Sequence, residues 1–157
     1  MKKLTPFLWF DKDMKGILAF YKSVFPDMKS NNDGELDDTP SGPVQMATIE
    51  ILGQELSLMT AGPMYKFTEA ISMMITCDAQ EEIDYYWSAL TADGGQEGPC
   101  GWLKDKYGLS WQVAPSAMNK MMKEGTKEQI KRVTEAFMKM KKFDIATLEE
   151  VYNQKLS

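Results

Sequence analysis

At 157 residues the chain has room for one domain, or for two small modules sharing a core, and no second catalytic domain fits beside it. Hydrophobic residues make up 43% and charged residues 26%, a globular composition that excludes disordered and fibrous classes. The formal net charge of -5 argues against nucleic acid as a partner, and the lack of any histidine removes the commonest acid/base group and the commonest metal ligand.

Cys77 and Cys100 are too few and too far apart for a disulfide framework or a CxxC metal or redox site, so a reduced compartment is expected. Met1-Lys2-Lys3 before Leu4 resembles the start of a signal peptide, but Pro6 and then Asp11, Lys12 and Asp13 break the apolar run. No stretch approaches the ~20 apolar residues needed to span a bilayer. The expected location is the cytoplasm, with no membrane partner.

In chain order, Thr5 to Asp11 (TPFLWFD) reads as a strand buried on both faces. Asp13 caps a helix whose Ile17, Leu18, Tyr21 and Val24 or Phe25 fall at helical spacing before Pro26 ends it. Residues 29–43 are polar and rich in Gly, Pro, Asn and Asp, predicting a disordered excursion with at most a frayed edge strand. Val44 to Leu52 and Glu55 to Thr60 flank Gly53-Gln54 as a hairpin. After an aromatic loop, Ile71 to Cys77 reads as a strand, Asp78 as a cap, and Ile83, Tyr86, Trp87 and Leu90 as a helix face stopped by Asp93-Gly94-Gly95. Gly101 to Lys104 and Leu109 to Ala114 form a second hairpin. From Ser116 the period is helical: Ile130, Val133, Phe137 and Met140 share one face, and Leu148, Val151 and Tyr152 follow a cap at Asp144. These stripes are expected to pack on the sheets. The 13 methionines read mainly as core filler, with a functional Met-rich groove as the other possibility.

The two halves superpose as sequences. Asp13, Phe20, Tyr21 and Phe25 lie 65 residues before Asp78, Tyr85, Tyr86 and Leu90, while Gly53, Leu56 and Leu58 lie 55 residues before Gly108, Trp111 and Val113. Each half is thus β, α, then two or three antiparallel strands, and two such modules side by side make a cupped sheet. The expected fold is α+β: two βαβββ modules (residues 4–61 and 69–115) in a single domain (1–157), with a C-terminal helical extension over 116–157.

The phrases PFLWFDKD and AFYKSVFPD, together with KFTEAISMMITCDAQEEIDYYW and GPCGWLKDKYGLSWQVAP, resemble the PhnB-like branch of the vicinal oxygen chelate superfamily over about residues 4–150. Glyoxalase I, bleomycin-resistance proteins and extradiol dioxygenases are relatives there. Some members of the branch carry the label 3-demethylubiquinone methyltransferase. A methyltransferase of the common type needs a nucleotide-binding sheet with a Gly-rich turn after its first strand, which this sequence does not provide.

In the superfamily's enzymes, inward-facing ligands from both halves hold one divalent metal. The resemblance carries those positions onto Pro6, Ser57, Ile71 and Gln112, where only Gln112 is a good oxygen donor and Ser57 a weak one. No metal and no cofactor is therefore expected. Strand parity leaves Leu8, Phe10, Ser57, Met59, Met73, Ile75, Ser110 and Gln112 to line the cup, a composition that suits a small-molecule pocket and equally a collapsed core. Trp102 and Trp111 lie on adjacent strands, where one stacks on a ligand or both pack beneath a helix.

Glu69 precedes the second module's first strand; partial burial would raise its pKa and make it a general base, and otherwise it pairs with Lys66 or Lys104. Asp105 is read as bonding its own turn amides. The leading expectation is a metal-independent small-molecule-binding protein in which Gln112, Ser110 and Glu69 orient the ligand. The alternatives are an enzyme acting on a carbonyl compound through Glu69, and, from the superfamily alone, a metal-dependent lyase or dioxygenase. The resemblance also implies a homodimer.

Overall fold

The computed structural model describes residues 4–154; Met1-Lys2-Lys3 and the last three residues of the 116–157 extension lie outside the described residues. The chain divides into two compact units, Met1–Phe67 and Thr68–Ser157.

In the first unit, β1 (Phe7–Phe10) leads into α1 (Met14–Val24), followed by β2 (Lys29–Leu36), β3 (Val44–Ile51) and β4 (Gln54–Thr60), and the sheet order is β1-β4-β3-β2. β1 runs parallel to β4 and the other pairs are antiparallel. Asp13 caps α1 as expected: it adopts a left-handed backbone (φ 67°), and its carboxylate accepts the Gly16 amide at 3.0 Å. Ile17, Phe20, Tyr21 and Val24 bury one face of α1, and the Phe10 and Tyr21 rings meet edge to face.

The second unit repeats this plan with β5 (Ser72–Cys77), α2 (Gln80–Thr91), β6 (Gln96–Glu97), β7 (Trp102–Lys104) and β8 (Ser110–Pro115), in the order β5-β8-β7-β6. β5 is parallel to β8, as β1 is to β4. The fold is α+β, two mixed four-stranded sheets of the glyoxalase/bleomycin-resistance type, each with a helix on one face. No helix among the described residues is long and apolar enough to cross a membrane.

Several local expectations need correction. Residues 29–36 form an eight-residue edge strand with a bulge at Asn32/Gly34 rather than a disordered excursion. A ladder is made by backbone groups, so polar side chains do not forbid it, and cross-strand pairs Lys29–Glu50 and Thr48–Asp33 suit an exposed edge. The first hairpin turns at Leu52-Gly53, one residue early. Both carry positive φ (48° and 76°), the arrangement that matches strand twist in two-residue turns. α2 begins after Ala79 rather than Asp78: the Glu82 carboxylate reaches back to accept the Asp78 and Ala79 amides.

The C-terminal stretch folds as α3 (Ser116–Glu124), α4 (Lys127–Phe137) and α5 (Ile145–Asn153). These helices pack chiefly on one another rather than on the sheet: Val133 and Leu148 are buried, and Arg132 bonds the Val151, Tyr152 and Gln154 carbonyls. Asp144 caps α5 by accepting the Thr147 amide at 2.7 Å. The Gln80 amide ties the extension to α2 by bonding the Phe143 carbonyl and the Ile145 N–H.

Parallel pairing fixes which side chains share a face. Phe7 aligns with Ser57 and Leu8 with Leu58, so Leu8 and Phe10 lie with Leu56 and Leu58 on the helix-covered side. Phe7, Trp9, Ser57 and Met59 occupy the far face. β1 is thus buried on one face only, with Phe7 58% exposed. The second unit follows the same rule. Met73 and Ile75 align with Trp111 and Val113 on the α2 side, while Ser72 and Met74 align with Ser110 and Gln112 on the far face. By this register Ser57 corresponds to Ser110, and Met59 to Gln112, two residues from the offset read along the hairpins.

Candidate functional site

On the far face of the second sheet, Lys104 aligns with Ser110 and Trp102 with Gln112, and Gln96 on β6 aligns with Lys104. A cavity of about 420 Å³ opens here, lined by Glu69, Gln96, Glu97, Gly98, Pro99, Trp102, Leu103, Lys104 and Ser110. A cavity of this size with mainly apolar walls and a few convergent polar groups suits a small organic molecule.

Asp105 sets the geometry of the hairpin that carries these residues. Its buried carboxylate accepts the Tyr107 amide at 2.9 Å, the Leu109 amide at 3.1 Å and the Trp111 indole N–H at 2.9 Å. Its turn amides were expected as partners; the indole was not. Trp111 is thereby held on the α2 side, which leaves Trp102 as the aromatic wall on the cavity side. Gly98 lines the cavity beside Trp102, its amide bonded to the Trp102 carbonyl at 2.8 Å. A Cβ there would stand 2.9 Å from that carbonyl oxygen, so the close approach needs glycine.

Ser110 is the unusual member. It is 1% exposed and its Oγ has no hydrogen-bond partner among the described residues. Burying a hydroxyl unpaired costs about 1–3 kcal/mol, so a single orphan on a residue that lines a cavity marks a place for a polar atom from elsewhere. Gln112 is already engaged, its amide donating to Ser72 Oγ at 2.8 Å. Glu69 forms an ion pair with Lys104 at 2.5 Å and its side chain is 64% exposed. The hydrogen bond from Lys104 holds the Glu69 carboxyl below its ordinary value, opposite to the upward shift that partial burial would give. Of the two readings of Glu69, the structure adopts the ion pair with Lys104 and not the raised-pKa base.

Glu97 borders the cavity but is committed on the other side. It accepts the Trp87 indole at 2.8 Å and pairs with Lys141 at 3.4 Å, and the Trp87 bond first, then Lys141, lowers its pKa. In the first unit, two grooves of about 310 and 350 Å³ lie along β2, β3 and the start of α1, without an orphaned buried polar atom.

The model of the family described as 3-demethylubiquinone-9 3-methyltransferase matches residues 2–114. The chain belongs to that family. Among solved structures, the PhnB protein from Bacillus cereus is 29% identical, with 73% of this chain and 100% of that chain covered at a TM-score of 0.61. Protein PA1353 from Pseudomonas aeruginosa is 16% identical, covering 73% and 98% at a TM-score of 0.59. The fosfomycin resistance protein FosX from Listeria monocytogenes, also 16% identical, covers 79% and 99% at 0.56. The last two show the shared fold alone. No curated protein matches the chain. The family match and the PhnB match together place the chain in the PhnB-like branch of the vicinal oxygen chelate superfamily.

FosX has been crystallised with Mn(II). In this chain the positions onto which the resemblance carries metal ligands, Pro6, Ser57, Ile71 and Gln112, do not fit a divalent cation. No group of three or more His, Cys, Asp or Glu side chains among the described residues could hold one. Pro6 and Ile71 offer no side-chain donor, and both precede their strands in phase with Leu8 and Ile75, not with Ser57 and Gln112. A neutral hydroxyl and an amide cannot offset the dehydration of such an ion. The sheets also lack the family description's usual machinery: each has one parallel pair, and Asp11-Lys12-Asp13 follows β1 where a Gly-rich turn would be required.

The residues expected to line the cup fall on different faces of their own sheets. Ser57 and Met59 lie on the first unit's far face, and Trp102, Ser110 and Gln112 on the second unit's, where Trp102 and Ser110 border the cavity. Leu8, Phe10 and Met73 are corrected to the helix-covered faces. They were assigned in phase with Pro6 and Ile71, one residue away from the register that the parallel pairing adopts. Lys104 and Gln96 were missed, although Lys104 stands two residues from Trp102 and so shares its face.

Proposed function

We propose that this chain is a metal-independent small-molecule-binding protein, with its ligand seated against Trp102 in the cavity of the second unit. The orphaned Ser110 hydroxyl in that cavity carries the reading. The ligand supplies the missing hydrogen-bond partner, and Trp102 with the Gly98-Pro99 wall covers its apolar body. Glu69 borders the site as a charged, ion-paired carboxylate and not as a proton-transfer group. The donor chemistry of Ser57 and Gln112 supports metal independence, and protein purified without chelator should hold less than stoichiometric metal.

A fragment screen observed by amide and indole NMR tests the site. Binders should move the Trp102 indole and Ser110 amide signals and lose affinity in Ser110→Ala. Binders that all perturb other regions, or no binders, would overturn it. The reading includes a homodimer, supported by the exposed apolar side chains of Phe7, Ile71 and Met74. Light scattering at micromolar concentration should give twice the chain mass.

A further inference from the structure

Three charged side chains border the second unit's cavity: Glu69, Glu97 and Lys104. They are not equivalent. Glu97 sits on β6 out of phase with Lys104, and both its oxygens are engaged by Trp87 and Lys141. Lys104 is therefore the one cation turned to the cavity, and Glu69 is its observed ion-pair partner. Glu69 belongs to the stretch 61–71, which has no helix or strand, and its side chain is 64% exposed against 34% for Lys104. An exposed ion pair from a loop contributes little and exchanges readily.

Beside this replaceable carboxylate stands a donor with nothing to bond. Ser110 aligns directly with Lys104 across the β7–β8 pair, and such neighbours on one face have Cβ atoms about 4.5–5.5 Å apart. From neighbouring positions on one face, the long Lys104 side chain and the short Ser110 hydroxyl can both donate to the two oxygens of one carboxylate. Trp102, the next residue on the same face of β7, gives a flat wall adjoining them.

Resting on the binding reading above, we infer that the cavity takes a small aromatic carboxylate, and that Glu69 is an internal counter-ion which the ligand's own carboxylate displaces from Lys104. In the ligand-free state Glu69 keeps Lys104 neutralised; on binding, the ligand takes over Lys104, satisfies Ser110 Oγ and stacks on Trp102, while Glu69 turns to solvent. The Glu69 side chain thus sets selectivity by competing with the ligand for Lys104.

Matched acid and amide pairs, benzoate with benzamide and naphthoate with naphthamide, test this by calorimetry on the full chain. Glu69→Gln should tighten the carboxylates about tenfold by removing their competitor, and leave the amides unchanged. Lys104→Gln should weaken the carboxylates by about the same factor, again sparing the amides. Ser110→Ala should weaken both. If Glu69→Gln leaves carboxylate affinity unchanged, or tightens acids and amides equally, the counter-ion role is overturned while cavity binding stands. If uncharged fragments bind at Trp102 but no carboxylate does, the ligand class is overturned on its own. If nothing binds at Trp102, the cavity reading falls as well.

Discussion

The two units share a strand order, a parallel first pairing and a helix on the same sheet face, yet they use their far faces differently. In the first unit several polar groups there find partners within it: the Trp9 indole donates to the Gly62 carbonyl at 2.8 Å, Thr48 bonds Asp33, Thr5 bonds Glu55, and Tyr65 packs edge-on against Trp9. In the second unit the corresponding face retains a buried, unpartnered hydroxyl and a cavity. Ser57 and Ser110 occupy equivalent register positions, but only Ser110 is buried and unpaired. A duplicated scaffold therefore leaves function to a handful of side chains, and similarity of fold says little about which half works.

The hairpins offer the strongest way to break this comparison. The first unit closes β3 and β4 through the positive-φ pair Leu52-Gly53, whereas in the second the buried Asp105 carboxylate accepts from two turn amides and the Trp111 indole. Asp105→Ala strands two amides and an indole and should cost roughly 3–5 kcal/mol in urea unfolding. Gly53→Ala forces a Cβ onto a residue at φ 76° and should cost about 1–2 kcal/mol. Equal costs would mean that Asp105 does not hold the second hairpin.

Both cysteines belong to the second unit, and they predict a pH effect of intermediate size. Burial, with Glu82 and Asp78 adding, pushes the Cys77 thiol up from 9.0 to about 11. A thiol whose folded pKa is raised contributes stability that is complete below its unfolded value and is lost as pH rises through the folded one. The window is therefore pH 9 to 11, and the full loss is roughly 2–3 kcal/mol at 1.4 kcal/mol per unit. Urea midpoints should fall across that window in the wild type and fall less in Cys77→Ala. At neutral pH a thiol reagent should modify the half-buried Cys100 quickly and Cys77 only on unfolding.

How much of this was legible follows from what each residue depends on. The Asp13 and Asp144 caps, the helix faces and the repeat are local or periodic, and they read directly from the sequence. Face assignments for Leu8, Phe10 and Met73 failed because a parallel register is set between strands roughly 40 to 50 residues apart, and a shift of one residue exchanges the faces. β2 reads as no more than a frayed edge strand because its side chains carry no apolar alternation: its order comes from pairing with β3. The cavity was half legible. Trp102, Ser110 and Gln112 follow from alternation, but the Lys104–Ser110 alignment needs the turn length that Asp105 sets, and the orphaned hydroxyl is a property of burial alone.

That hydroxyl gives the smallest effect and the sharpest contrast between the halves. Ser110→Ala removes an oxygen that the folded state buries without a partner, so the unfolded chain loses hydration while the native state loses nothing it was using. The variant should be more stable by about 1 kcal/mol in urea unfolding, and should bind ligand more weakly. Ser57→Ala, at the equivalent but half-exposed position, should change stability by less than about 0.5 kcal/mol. The sign matters more than the size, because a stabilising truncation that costs affinity is what a binding site built on an unsatisfied group requires, and a merely structural serine would lose stability when cut back. A destabilised Ser110→Ala would show that the native state bonds that oxygen after all, and the asymmetry between the two sheets would disappear.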